Sequence, residues 1–518
     1  MKNCVLFVLV LLIHSSALYA QDGVLDNSFD SDGIVTMDIS NSNDVMKSII
    51  TQPDGKIIVA GYTSDMVIDN FCVARFHSNG TIDNSFGVNG IVVTAFPSTS
   101  LASEVALQND GKIIAVGHTW EGSVNNFALA RYNSDGSLDA SFGNSGIIST
   151  SLFGNNAFAK TLKVQNDGKI IVGGMVFDSP PDGSSLAIVR YNQDGTLDNT
   201  FGGGGISTTD VTPGFGLTAL DILNDLAIQQ NGKVVVCGIS GPDGVILRYN
   251  SDGNLDLSFG LNGIKTHNFS TGGMSVFNGI DLQQDGKIIT VGFSSGMNGI
   301  SDLLVIRSNI NGDLDNTFGN MGIIFTPLSA EADGAEDVLV QQDGKILVGG
   351  NVSNSIYKFA LTRYDTDGNP DLTFGTNGLV QTEVNSESSY LNAITIQTDG
   401  KILATGTTGS TNSDITIIRY SSSILSSSNP IPLFENASIY PNPTSDNVSI
   451  TFMSKQEGVI SIKLFDMSGR LLLEKNYPSL IPGIKNTKTL QLEVYSEGIY
   501  FIGISTSNTS RIFKVVKK

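Results

Sequence analysis

Seven times along the chain a short, β-branched apolar run follows an Asp-Gly or Asn-Gly pair and a lysine. The copies read QPDGKIIVAG (Gln52–Gly61), QNDGKIIAVG, QNDGKIIVGG, QQNGKVVVCG, QQDGKIITVG, QQDGKILVGG and QTDGKILATG, with lysines at 56, 112, 169, 233, 287, 345 and 401. Asp-Gly tolerates the positive φ angles of a tight turn, so the phrase predicts a β-hairpin closed by a two-residue type I′ turn. The run after it predicts the next strand.

A second phrase keeps step with the first. LDNSF, IDNSF, LDASF, LDNTF, LDLSF, LDNTF and PDLTF place aspartates at 26, 83, 139, 198, 256, 315 and 371, a period of about 57 residues. Four strands of about five residues plus turns fill that length. Each repeat therefore reads as LDxSFGxxGI, a strand, a second strand ending in Gln, the Asp-Gly-Lys turn, a third strand, a loop, and a fourth strand ending Arg-Tyr. Seven such units need a way to hide their sheet edges, and radial closure does that. The expected fold is all-β: a seven-bladed β-propeller of four-stranded blades. The last Arg-Tyr ends at Tyr420, so seven whole units fit with none left over; a linear β-solenoid is the alternative.

Self-comparison assigns tasks within the repeat. Gly lies five residues after each turn lysine (61, 117, 174, 238, 292, 350, 406) and four after each opening Phe, where a turn or close backbone approach is expected. The phenylalanines are natural wedges between adjacent sheets. Of nine arginines, seven occupy one repeat position: 75, 131, 190, 248, 307, 363 and 419. A ring binding an anion is one reading. A structural ion pair to the repeated Asp is the other, favoured because the residue recurs once per unit.

The pattern QxDGKIIVxG…ARYNxDGxLDxSFG over residues 24–420 resembles the delta-60 repeat family, which implies a propeller and brings no settled activity. The chain departs from it at Asn231, Ser308 and Pro370.

The ends of the chain differ from its middle. Residues 1–20 carry Lys2, an apolar run Val5–Ile13 and small residues before Gln21, the layout of a secretory signal peptide, too short for a permanent membrane anchor. Residues 21–420 are the expected propeller and 421–436 a Ser/Pro-rich linker. Residues 437–518 alternate apolar and polar positions over short strands, which predicts a small antiparallel β-sandwich. Their phrases Tyr440-Pro441-Asn442-Pro443, Asp466–Arg470, Gly498-Ile499-Tyr500 and the terminal lysines resemble the type A C-terminal sorting domain of the type IX secretion system. That resemblance implies a Bacteroidota-type bacterium, type IX secretion machinery as a partner of residues 437–518, passage across the outer membrane, and removal of the domain on export to the cell surface or medium.

Charge sharpens this division. The 518-residue chain has a formal net charge of −20, yet residues 437–518 hold ten Lys/Arg against six Asp/Glu. Such acidity disfavours nucleic acid and anionic membrane as partners. No transmembrane segment is expected. Cys4 lies in the leader, and Cys72 and Cys237 read as buried small hydrophobes rather than a disulfide framework.

Candidate chemistry is sparse. His77, His118 and His267 fall in different repeats. The GxSxG match Gly292–Gly296 follows a strand, with no helix or later histidine to serve Ser294. Gly202–Gly205 is the FGxxG position of one repeat, not a phosphate cradle. Asp365, Asp367, Asn369 and Asp371 alternate around a glycine as calcium ligands do, although Asp-Gly turns need no metal. The unique Trp120, expected in a loop beside His118, is the best single candidate for a binding contact. Variable loops at Asp178–Asp182 and Met297–Ser301 would carry specificity. No catalytic, cofactor-binding or metal residue is assigned and no cofactor is expected. The function expected is non-enzymatic binding of a glycan, matrix component or protein. The alternatives are a polysaccharide-active enzyme using acids near the channel and a structural surface protein.

Overall fold

The computed structural model describes residues 22–518 apart from 178–182, 213–219, 271, 297–298, 411, 423–433, 455–459, 466–470, 478–484 and 506–509. The leader, the loop Asp178–Asp182, part of Met297–Ser301, most of the linker and Asp466–Arg470 therefore lie outside the described residues. The chain divides into two compact units, Met1–Ser426 and Ser427–Lys518. Among the described residues no helix is long and apolar enough to cross a membrane.

The first unit holds seven four-stranded antiparallel sheets. Blade 1 runs from its innermost strand Asp44–Thr51 through Ile57–Ser64 and Asp69–Phe76 to Ile91–Thr94 at the rim. Innermost strands of the next five blades are Ser100–Leu107, Ala157–Val164, Asp221–Ile228, Met274–Leu282 and Asp333–Val340. Blade 7 runs Ser389–Ile396, Ile402–Thr408, Asp414–Tyr420 and then Ile34–Met37. The first strand of the chain thus completes the last sheet, its Ile34 opposite Ile418. Sequence unit and blade are out of step by one strand: the strand after each LDxSFGxxGI phrase is the rim of the preceding blade. Seven units fit with none left over because the ring shares one of its strands between the two ends.

Blades are joined by apolar surface. Between blades 7 and 1, Phe29, Val35, Met46 and Ile49 form one buried cluster with Ala393, Leu403, Ile415 and Ile417. The repeated phenylalanines are buried wedges, as expected. A Cβ on Gly136 of the next blade would lie 2.8 to 3.1 Å from Gly87, Val92 and Phe86, so glycine is what lets blade 2 seat against that ring. Burying such a side chain contributes roughly 1.5–3 kcal/mol.

The Asp-Gly-Lys hairpins differ from the two-residue turn expected. Gly55 donates to the Gln52 carbonyl and Gln52 to the Lys56 carbonyl, and positive φ occurs at Gly55 but not at Asp54. This is a three-residue loop, a type I turn closed by a left-handed glycine. Asp54 caps the Lys56 amide instead.

The second unit packs a three-stranded sheet (Phe434–Tyr440, Asn447–Ser454, Lys485–Gln491) and a four-stranded sheet (Leu471–Tyr477, Ile460–Phe465, Gly498–Ser505, Ser510–Lys517) around one core. Val448, Ile450, Phe452 and Leu490 of one meet Ile462, Leu464, Ile502, Ile504 and Val515 of the other. It is the β-sandwich its alternating pattern predicts.

Candidate binding face and central channel

Each innermost strand runs from one face of the propeller to the other, ending at the Asp-Gly-Lys turn. That turn and the LDxSFG connection share a face, hereafter the repeat face. The opposite, variable face carries the remaining loops, which differ from blade to blade.

On the repeat face the charged residues serve structure. All seven repeated arginines pair with the repeated Asp, from Arg75–Asp83 at 2.8 Å to Arg419–Asp26 at 2.9 Å. Each Asp also receives the turn lysine of its own blade at 2.6–3.2 Å. Each guanidinium lies 4.3–4.7 Å above the repeated Phe ring. Six arginines reach a main-chain carbonyl of the adjoining blade, as Arg75 reaches Ser134 and Arg419 reaches Ser78. The structural reading of the arginines is the one the geometry supports. Burial alone would raise the Asp83 carboxyl, but Ser85, Lys56 and Arg75 together hold it well below the usual carboxylate range. Asp26 and Asp315 are held at about 2 by the same balance.

Blade 6 has no following turn to reach, because the chain leaves after Tyr420. Asp22 takes its place: its carboxylate accepts Arg363 at 2.6 Å and its carbonyl accepts the Gly375 amide at 2.8 Å. Arg363 and Asp22 are buried.

The innermost strands line a central channel, and here the invariant glycines acquire a reason. Every innermost strand carries a β-bulge, between Met46 and Ser48 in blade 1 and at the equivalent place in the other six. Opposite each bulge stands the glycine that follows the turn lysine by five. A Cβ on Gly61 would sit 1.9 Å from the Val45 carbonyl oxygen, and the other six glycines are as crowded. The bulge supplies an extra channel-facing position, always nine residues before the turn lysine: Lys47, Ser103, Lys160, Asn224, Asn278, Glu336 and Asn392. The sequence reading did not single these out, although a column polar in every copy was the available signal.

Most of the channel's polar groups fasten blade to blade. Ser103, Asn224, Asn278 and Asn392 donate to carbonyls of the next innermost strand at 2.7–3.0 Å. Asp337 accepts the amides of Val338 and of Ile394 in blade 7, and Asp281 those of Leu282 and of Val340 in blade 6. Asp225 accepts Ile280 across the blade 4–5 boundary and Thr161 across the blade 3–4 boundary. Lys163 lies 2.8 Å from Glu104 and 3.6 Å from Asp225. Burial pushes the Asp337 carboxyl up to about 7 and raises Asp281 and Glu336. The open cavity these groups line is about 320 Å³.

The variable face presents apolar and aromatic side chains. Met66, Val67, Trp120, Phe153 and Tyr390 are exposed, and the Tyr357 and Tyr390 rings lie 4.9 Å apart. Trp120 is not in a loop. It belongs to the strand Ile113–Glu121, opposite Asn125, because that strand runs nine residues where about five are expected. His118, two residues before it, packs edge-on against Phe158, and burial lowers its pKa to about 4.

The remaining candidates have structural roles. Asp371 is committed to Arg363 and Lys345, while Asp365 caps the amides of Asp367 and Asn369, so the four calcium-like positions do not converge. Among the described residues no group of three or more His, Cys, Asp or Glu could hold a metal ion. Ser294 is a buried strand residue bonded to Ser275. Cys72 and Cys237 are free and buried, their thiols pushed up.

Comparison with known proteins agrees with this architecture. Residues 52–86, 108–142, 165–201, 229–259, 283–318 and 341–374 match a domain of unknown function described as a beta-propeller (DUF5122). Residues 438–518 match the secretion system C-terminal sorting domain. The chain is a delta-60-type repeat propeller with a type IX secretion sorting domain, which directs it to the cell surface or the extracellular space. Six contiguous repeats match where seven blades stand, and the fold explains the difference: the seventh copy is split, its Gln397–Arg419 part meeting Asp26 and Phe29 only in space. No curated protein matches the chain. Solved structures similar to it include a fungal alcohol oxidase of the AA5 family in complex with copper (14% identity, 93% of this chain and 98% of that one, TM-score 0.44). Another is a virginiamycin B lyase from Staphylococcus aureus (11%, 74% and 98%, TM-score 0.40). A third is a PL25 ulvan lyase (11%, 78% and 97%, TM-score 0.43). Likeness at that level carries no argument about activity.

Proposed function

We propose that this exported propeller is a non-enzymatic binding module that holds an extracellular glycan, matrix component or protein against its variable face. The observation that carries this reading is the division of labour between the faces. The arginines and turn lysines of the repeat face are committed to ion pairs and its exposed apolar groups are aliphatic, such as Val88, Leu257 and Leu261, whereas the variable face presents the aromatic rings of Trp120, Phe153 and the Tyr357–Tyr390 pair. Flat aromatic faces with a polar edge suit sugar rings and protein hot spots alike. In this reading residues 1–20 are removed on export, 21–420 form the working domain, and 437–518 are removed after engaging the type IX machinery.

The test is a glycan and matrix-protein array probed with the full chain in calcium and then in EDTA. Saturable binding to one ligand class, lost in Trp120→Ala or Tyr390→Ala, is the expected result. Array binding indifferent to both substitutions would overturn it.

A polysaccharide-active enzyme is the second reading, favoured by Asp337, whose pKa near 7 in a channel suits a general acid. Both its oxygens accept main-chain amides, which argues for a fastening role. Release of shorter products from an acidic polysaccharide, abolished in Asp337→Asn, would decide for the enzyme.

A further inference from the structure

The propeller residues 22–422 contain twelve lysines and seven arginines in a chain of net charge −20. Among the described residues every one of these cations pairs with a carboxylate except two, Lys47 and Lys160. Both occupy the bulge position and line the same cavity, on blades 1 and 3, with Ser103 of blade 2 between them. Lys47 is oriented by the Asn392 amide oxygen at 3.2 Å. Desolvation by the channel walls lowers the pKa of each; for Lys47 the Glu336 carboxylate offsets part of this and the charge of Lys160 adds to it.

Both side chains remain solvent-accessible within the channel, where the facing walls desolvate them and no carboxylate comes within ion-pair distance, so each ammonium is open to an anion from outside. Glu336 faces Lys47 from beyond ion-pair distance, and the channel's other acids are engaged elsewhere. Glu104 and Asp225 hold Lys163, Asp281 and Asp337 hold main-chain amides, and Glu336 accepts the Asn351 and Asn278 amides at 3.3 and 3.4 Å.

We infer that Lys47 and Lys160 form the anion-binding end of a ligand site in the variable-face mouth of the channel, taking a sulfate or carboxylate group. This deepens the binding-module reading and rests on it for one point only, that the anion is carried by an extracellular polysaccharide. The acids facing the pair also give it a pH dependence. As pH falls through about 7, Asp337 becomes neutral, and the raised carboxyls of Asp281 and Glu336 follow the same direction. Glu104 and Asp225 face Lys163 rather than the pair, and His118 near Lys160 remains neutral until about 4. Anion affinity therefore rises on acidification from pH 8 to 6.

The test is calorimetric titration of the full chain with sodium sulfate, then with a sulfated polysaccharide, polygalacturonate and neutral dextran. Expected are saturable sulfate binding that tightens from pH 8 to 6, a loss of more than tenfold in Lys47→Met and in Lys160→Met, and retention in Lys160→Arg. Unchanged melting temperatures in the methionine variants would confirm intact folding. Sulfate affinity equal in wild type and the Lys47→Met/Lys160→Met double variant overturns the site. Sulfate held by the lysines with no polymer bound upholds the site and removes its glycan source. Polymer binding indifferent to both lysines but lost in Trp120→Ala overturns the site and leaves the binding module standing.

Discussion

The two faces of the propeller are made by the same seven repeats and obey opposite rules. On the repeat face one bonding scheme is executed seven times: Asp between Arg and Lys, guanidinium over Phe, a turn glycine against the ring. Each blade's connection is also its neighbour's anchor, so a change in one copy disturbs two blades. On the variable face no two loops are alike, and the groups exposed there bear little of the load. Redundant bonding at one end of the strands frees the other end to vary. That division makes the stability cost of a substitution a readout of which face it lies on.

Arg363→Met should have the largest effect. It leaves Asp371 and Asp22 buried beside an apolar side chain and unpins the segment that closes the ring. Breaking one buried pair typically costs ~3–5 kcal/mol, and closure adds to it, so chemical denaturation should show a loss at or above the top of that range. Arg131→Met breaks the same pair without touching closure and should cost less. Equal losses would mean that Asp22 contributes nothing to sealing the propeller.

Next comes Gly61→Ala. The Cβ would meet the Val45 carbonyl oxygen at 1.9 Å, so the blade 1 bulge must shift or open. About 1–3 kcal/mol is the usual cost of overpacking, measured by thermal melting. A neutral substitution would show that the bulge, and with it the channel-facing position of Lys47, is not fixed by this glycine.

The pH dependence separates repeat face from channel. The repeated carboxyls have folded pKa values below their unfolded ones, with Asp26 and Asp315 at about 2. Their stabilisation is present above the ordinary carboxyl range near 4 and is lost as pH falls from there toward 2. Asp337 has the opposite sign. Its folded value is raised to about 7, so its contribution is fully present below about 4 and is lost as pH rises through 7. Stability should fall steeply below pH 4 and decline gently from 4 to 7, and Asp337→Asn should flatten only the second slope.

Much of this was legible in the chain because repetition turns a weak local signal into a strong one. Seven arginines spaced with seven aspartates forecast their pairing. The period forecast seven four-stranded units, and the alternating residues after 437 forecast the sandwich. What escaped was whatever the repeat does not repeat. Asp22 stands before the first copy, so nothing in the pattern marks it as a substitute turn. The one-strand offset between unit and blade cannot be seen where every boundary looks the same. Lys47 and Lys160 sit in a column whose residue changes from copy to copy. The bulge that turns this column inward depends on a glycine fourteen residues later, on a different strand. The Asp-Gly turn was misjudged because the dipeptide permits two loop lengths, and only the Gln52–Lys56 hydrogen bond chooses between them.

The smallest stability effect should accompany the largest binding effect. Trp120 is 42% exposed at the end of its strand, and its main-chain amide bonds to the Thr99 carbonyl at 2.9 Å whatever the side chain. Trp120→Ala should therefore shift unfolding by about 1 kcal/mol or less, as surface substitutions generally do. A useful yardstick on the other side is Tyr191→Phe, which removes only the buried interblade hydroxyl bond to Thr150. That bond is worth about 1 kcal/mol, and blade 1 dispenses with it naturally by carrying Phe76 at the same position. If Trp120→Ala costs clearly more than Tyr191→Phe, the tryptophan is part of the scaffold and the division between the faces fails at its one tryptophan. If it costs no more and abolishes ligand capture, the variable face is free to vary because the stability of the ring is held elsewhere.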